Sequence, residues 1–151
     1  MIRKHQPDLP LGGWANPHAD PVDQVGHLLD EHATAEFYLT QIVSHHSRAR
    51  VDAFLEEAAQ RQLTLPAIFG VFYYRSANPK TLAALESFLP VPARELSLEF
   101  AAGATPDQIC ARTIRSLLAL GARHFYVSNL PLQHAARTLD SVMMLVRDSV
   151  E

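Results

Sequence analysis

Pro66-Ala67-Ile68-Phe69-Gly70-Val71-Phe72-Tyr73-Tyr74 is apolar at successive positions, so neither face of a strand built from it would be wet. Strands buried on both faces belong to parallel sheets, whose crossover connections place helices over them. The chain on either side has that alternating form. Upstream, Glu36-Phe37-Tyr38-Leu39-Thr40-Gln41-Ile42-Val43 is aromatic and β-branched and reads as another strand. Between the two, Ser47 is placed to cap a helix reaching about Gln62, with Val51, Phe54, Leu55 and Ala58 inward. Further back, the apolar run Leu9-Pro10-Leu11-Gly12-Gly13-Trp14 suits a first strand. Asp20-Pro21 then opens a helix in which Val22, Val25, Leu28 and Leu29 share one face.

Downstream the pattern repeats. Asn78-Pro79 starts a helix with Leu82, Leu85 and Leu89 inward, ended by Pro90 and Pro92, and a short helix follows over 92–100. Thr105-Pro106 opens a long helix carrying Ile109, Ile114, Leu117, Leu118 and Leu120, and Gly121 stops it. Arg123-His124-Phe125-Tyr126-Val127-Ser128-Asn129 is the fourth strand, and 132–150 the closing helix, with Leu139, Val142, Met143 and Val146 inward. The order βαβαβααβα implies a parallel sheet under helices. A flavodoxin-like sandwich fits this length, and so does half of a (β/α)8 TIM barrel, a whole one needing roughly 250 residues. Periodicity does not separate the two. In both, chemistry sits at the C-terminal ends of the strands.

Composition narrows the function. The chain has 151 residues, 48% of them hydrophobic, which suits one domain over 1–151. Lys+Arg 13 against Asp+Glu 16 leaves a net charge of −3, with no basic cluster for nucleic acid or an anionic membrane. A single cysteine, Cys110, precludes an intrachain disulfide and lies mid-helix, a poor place for a nucleophile. The N-terminus shows no secretory pattern, and the most apolar run falls short of the about 20 residues a bilayer requires. A cytoplasmic, soluble protein is the expectation.

The strand ends carry Trp14-Ala15-Asn16-Pro17-His18, Thr40-Gln41, Ser44-His45-His46, Tyr73-Tyr74-Arg75 and Tyr126 with Ser128 and Asn129. This rim is rich in aromatics and amides and poor in carboxylates, which suits a flat heteroaromatic ligand. Hydrolase motifs and phosphate-binding glycine loops are absent from the sequence. Gln41 in an apolar strand needs a hydrogen-bond partner, either a ligand or neighbouring backbone. His45-His46 with His18 has the chemistry of a zinc or iron site, but no carboxylate or thiolate motif accompanies it. No metal is therefore expected.

These strand-end segments resemble the second half of methylenetetrahydrofolate reductases. Leu39-Thr40-Gln41 is similar to that family's Ile-Thr-Gln strand, and His124-Phe125-Tyr126-Val127-Ser128-Asn129 to its His-Phe-Tyr-Thr-Leu-Asn strand. Gly12-Gly13-Trp14 followed by His18 resembles its Ala-Ala-Tyr segment and the histidine beyond it, and residues 63–71 resemble a further strand. The resemblance favours the half-barrel, with this chain equivalent to strands five to eight. It implies an oxidoreductase of one-carbon and methionine metabolism that reduces 5,10-methylenetetrahydrofolate to 5-methyltetrahydrofolate, with FAD as cofactor and NAD(P)H as hydride donor. It assigns Gln41, Thr40 and Tyr126 to the folate and Trp14 and His18 to the flavin.

The family's catalytic Glu belongs to the first strand, which has no counterpart here, so the catalytic residues are unknown and the chain alone is expected to be inactive. Over residues 24–35, His27 stands near a flavin-binding Asp of the family and no lysine is present. Two other readings remain: a non-catalytic folate-binding or partner-assembling half-barrel, and an unrelated flavodoxin-like domain. Four barrel strands would leave two open edges, so a homo-oligomer or a complex with a separate N-terminal half is expected.

Overall fold

The computed structural model describes residues 5, 6 and 8–148. Four parallel strands, β1 (Gly12–Ala15), β2 (Phe37–Val43), β3 (Ala67–Phe72) and β4 (His124–Ser128), form one sheet in the order β1-β2-β3-β4. The helices are α1 (Pro21–Leu28), α2 (Arg48–Gln60), α3 (Pro79–Glu86), α4 (Ala93–Ala101), α5 (Pro106–Ala119) and α6 (Ala135–Arg147). Short 3-10 turns at His45–Ser47 and Leu132–His134 lead into α2 and α6.

The strand order separates the two architectures. A doubly wound sheet reverses its order at a switch point and carries helices on both faces. Here each strand adds beside the last in the same direction, and right-handed crossovers then put α1, α2, α5 and α6 on one face. That face is visible in the packing. Ala15 and Tyr38 pack with Val25, Leu28, Phe54 and Ala58 from α1 and α2. Phe69 and Val71, with Phe125 and Val127 beside them in register, pack on Ile114, Leu117, Val142 and Val146 from α5 and α6. Complete burial of a side chain such as Phe54 contributes roughly 1.5–3 kcal/mol.

The register places Gly12, Phe37, Trp14, Leu39, Ile68, His124, Gly70 and Tyr126 on the opposite face. None of them belongs to a helix-packed cluster. This is half of a (β/α)8 barrel, with the barrel's inner face open. Only at its top is that face covered: Phe72 packs beside Tyr74, Leu82 and Leu96, because α3 and α4 fold over the end of β3.

Local signals behave as expected at three helix starts. Asp20 Oδ1 accepts from Val22 N and Asp23 N, Asn78 Oδ1 from Lys80 N and Thr81 N, and Thr105 Oγ1 from Gln108 N. Gly121, at φ 95°, ends α5 in a conformation that a Cβ disfavours. Ser47 does not cap α2. Its hydroxyl turns back to accept from Ser44 N and donate to Ser44 O, tightening the 3-10 turn instead. The inward stripe of α1 is narrower than its spacing predicts: Val25 and Leu28 are buried, while Val22 and Leu29 are exposed, since α1 lies on the edge strand and meets one neighbouring helix. Leu139 of α6 is likewise at the solvent boundary. The last two residues expected in the closing helix, 149 and 150, lie outside the described residues.

Candidate functional site

The register of β2 against β3 slips once. Leu39 pairs with Ile68 and Ile42 with Gly70, so Thr40 and Gln41 together oppose Phe69. This is a β-bulge at the C-terminal end of a central strand, a place where bulges re-aim side chains. An extra residue leaves backbone groups without ladder partners, and here side chains supply them. Gln41 Oε1 accepts from Ile42 N at 2.8 Å. Thr40 Oγ1 donates to Gln41 O at 2.9 Å and accepts from Gly70 N at 3.0 Å. Tyr126 Oη reaches across from β4 to donate to Thr40 O at 2.7 Å. His18 Nε2 donates to Ile42 O at 2.9 Å.

The structure thus brings Thr40, Gln41, Tyr126 and His18 together at one bulge. Trp14 lies on the open face, beside Leu39 in register, with 53% of its surface exposed, whereas Thr40 pairs with helix-facing Ala15 and is fully buried. The need for a partner at Gln41 is met by backbone through Oε1, while its Nε2 has no hydrogen-bond partner among the described residues. Tyr126 can span β3 because residue 70 is glycine. A Cβ there would overlap Tyr126 Oη and stand 2.6 Å from its Cζ. Burial pushes the Tyr126 hydroxyl above its usual pKa, keeping it a donor.

His18 is held in place from its backbone as well. Its N–H donates to Asn16 Oδ1 and its carbonyl accepts from Arg50. At the ends of β3 and β4 a cavity of about 290 Å³ is walled by Phe72, Tyr74, Arg75 and Asn129. The Tyr74 hydroxyl is buried without a partner among the described residues, which is uncommon for a buried polar atom. Asn129 is spent on structure: its Nδ2 donates to Tyr73 O, and Arg75 holds its carbonyl. Around the bulge, the inner-face positions named above carry no carboxylate, and Glu36 precedes β2 at the opposite end of the strand.

Of the two positions that the resemblance assigns to FAD, His18 has its Nε2 donating to Ile42 O and its carbonyl on Arg50, and Trp14 is exposed.

A second cluster lies just past β2. His45 Nε2 and His46 Nε2 both donate to Glu99 Oε1, at 2.8 and 2.6 Å, and their rings lie tilted by 41° with centroids 3.9 Å apart. Arg112 binds Glu99 Oε2, and Thr113 Oγ1 lies 2.9 Å from His45 Nδ1. Burial, the adjacent His46 and Arg112 lower the His45 pKa to about 4, and burial lowers that of His46. Sequence spacing missed this carboxylate. Glu99 sits on α4, far from the histidines along the chain, and only the fold of the β3-to-β4 connection brings it there. Cys110 is buried in the core, its thiol pushed up to about 12 by burial and by Asp107. No helix among the described residues is long and apolar enough to cross a membrane.

No family model and no curated protein matches the chain. Among solved structures, it is similar to an uncharacterized protein from Clostridium thermocellum that binds two copies of 5-methyl-5,6,7,8-tetrahydrofolic acid. The TM-score is 0.63 at 20% identity, over 97% of this chain and 56% of that one. The chain therefore spans little more than half the length of its structural neighbour, with which it shares a fold.

Proposed function

We propose that this chain is the folate-binding half of a barrel of the methylenetetrahydrofolate reductase type. The observation that carries the reading is the bulge in β2, where Gln41, His18 and Tyr126 meet around a fully buried Thr40, at the rim of the open face that carries an exposed tryptophan. A pterin is flat and edged with ring nitrogens, a carbonyl and an amino group. Trp14 offers it an aromatic face, and Gln41 Nε2 a donor aimed from a strand fixed by its neighbours. The structural neighbour's binding of a methylated tetrahydrofolate supports the same ligand class, and the sequence resemblance supports the same positions.

In the family's reaction NAD(P)H is the hydride donor, and a bound flavin would supply the redox chemistry. This chain holds Trp14 and His18 at the positions that the resemblance assigns to the flavin. Its part is to orient the folate. The proton donor comes from elsewhere, since the bulge carries no carboxylate. A second four-stranded half, either another copy or a separate N-terminal chain, covers the inner face, and only a separate N-terminal chain brings a carboxylate that the bulge lacks.

The test is calorimetric titration with 5-methyltetrahydrofolate. Gln41→Glu keeps an oxygen for Ile42 N and removes the amide donor, so it separates ligand contact from support of the bulge. Affinity should fall by about 1–3 kcal/mol, the usual range for a lost buried polar partner, with the melting temperature held. Unchanged affinity in that variant, or no binding by the parent chain, overturns the reading.

A further inference from the structure

We propose that His45, His46 and Glu99 form a binding site for a divalent first-row transition metal ion. Their ligating atoms, two imidazole nitrogens and one carboxylate oxygen, all lie within 4.8 Å of one another, close enough to share an ion at bonds of about 2.0–2.2 Å. The three side chains are only 13%, 23% and 12% exposed, so the ion would be shielded from bulk water on most sides. Two nitrogens and one oxygen select an ion that favours imidazole, such as zinc or ferrous iron. Calcium and magnesium take oxygen ligands instead.

The surroundings are those of a metal site. Ligating histidines donate their second ring nitrogen to a fixed acceptor, and ligating carboxylates are themselves hydrogen-bonded. Thr113 Oγ1 stands at His45 Nδ1, and Arg112 holds Glu99 Oε2, leaving Oε1 to face the histidines. Without an ion, that one oxygen serves two imidazoles. With an ion, the ring protons move to Nδ1, each Nε2 offers its lone pair, and His45 donates to Thr113.

Three protein ligands leave a coordination position for water, as in sites that act on substrates. His46 borders a cavity of about 270 Å³ whose wall also includes His18, Ser44, Ser47 and Glu95. Glu95 lies one turn before Glu99 on α4, where it can accept from a metal-bound water. The same cavity meets His18, so the ion would sit behind the bulge on the helix-bearing side of the rim.

The experiment titrates the full, chelator-treated chain with Co2+ and with Zn2+, without folate. One ion per chain, visible d–d absorption of bound Co2+ and its displacement by Zn2+ are expected. Glu99→Gln and His46→Gln should abolish the absorption. Thr113→Val keeps all three ligands and should weaken binding by roughly 10–100-fold, as loss of an outer partner does. His32→Ala, at the far β1 edge, should leave binding unchanged. Should a ligand variant misfold, the imidazole 15N resonances of the parent chain decide: His45 and His46 Nε2 shift on Zn2+ addition. Absence of stoichiometric binding by the parent chain, or binding retained in folded Glu99→Gln and His46→Gln, overturns the proposal.

Discussion

The hydroxyl of Tyr126 lies across Gly70 and donates to the carbonyl of Thr40, tying β4 to β2 over the strand between them. The bond depends on a missing side chain. In a parallel sheet, Gly70 and Tyr126 are register partners on the same face, and any Cβ at 70 would occupy the path of the tyrosine ring. Gly70→Ala should therefore displace Tyr126 and destabilise the fold by about 1–3 kcal/mol, the cost of overpacking a tight site. Tyr126→Phe removes only the hydrogen bond and should cost about 1 kcal/mol. Urea unfolding of the two variants measures both, and a Gly70→Ala midpoint equal to the parent's would contradict the geometry.

Trp14 is the chain's single tryptophan and is half exposed on the open face. Exposed apolar surface and unpaired strand edges favour association. The emission maximum should therefore move to the blue as protein concentration rises, or when a four-stranded N-terminal half is added. Sedimentation should show the matching change in mass. A monomer at high concentration with a fixed, red-shifted emission would count against assembly through this face.

The chain alone should not reduce methylenetetrahydrofolate at a useful rate. General acids contribute about 10²–10⁴-fold, and the bulge residues supply no carboxylate for that role. The assay is folate-dependent NADH oxidation with and without FAD. It is then repeated with an N-terminal half supplied. Turnover only with the second half present is expected. Robust turnover by the pure chain would refute the assignment and direct attention to His18.

Cys110 should be inert in the native protein. An ordinary thiol is half ionised near pH 9, whereas burial and Asp107 hold this one at about 12. Only the thiolate reacts. Alkylation should stay slow from pH 7 to pH 10 and become fast once denaturant unfolds the chain. Fast native labelling at pH 8 would contradict the placement of Cys110 in the core.

Sequence reading and structure part company where interactions stop being local. Element types and most ends were legible because their causes lie within a few residues: Asp20, Asn78 and Thr105 cap the helices they precede, and Gly121 stops α5. The double-sided apolar character of residues 66–74 likewise announced a parallel sheet. Periodicity in a single strand carries no record of its neighbours, so it left the half-barrel and the flavodoxin-like sandwich equal until the order β1-β2-β3-β4 was seen. Ser47 looked like a cap because the residue type was right, yet its hydroxyl found Ser44 first.

The candidate site divides the same way. Gln41 stood out as an amide that needed a partner, a property of the residue and its apolar strand. That the partner of its oxygen is Ile42 N, at a bulge also served by His18 and Tyr126, depends on a one-residue slip against β3 that no spacing reveals. His45-His46 was visible as two ligands without a third. Glu99 joins them from across the β3-to-β4 connection because Leu96 of the same helix packs with Tyr74, Leu82 and Ile109 and so seats α4 over the strand ends. Local chemistry determined which elements form and which residues need partners. Tertiary packing alone decided which partners they meet, because residues far apart in the chain become neighbours only when the core between them closes.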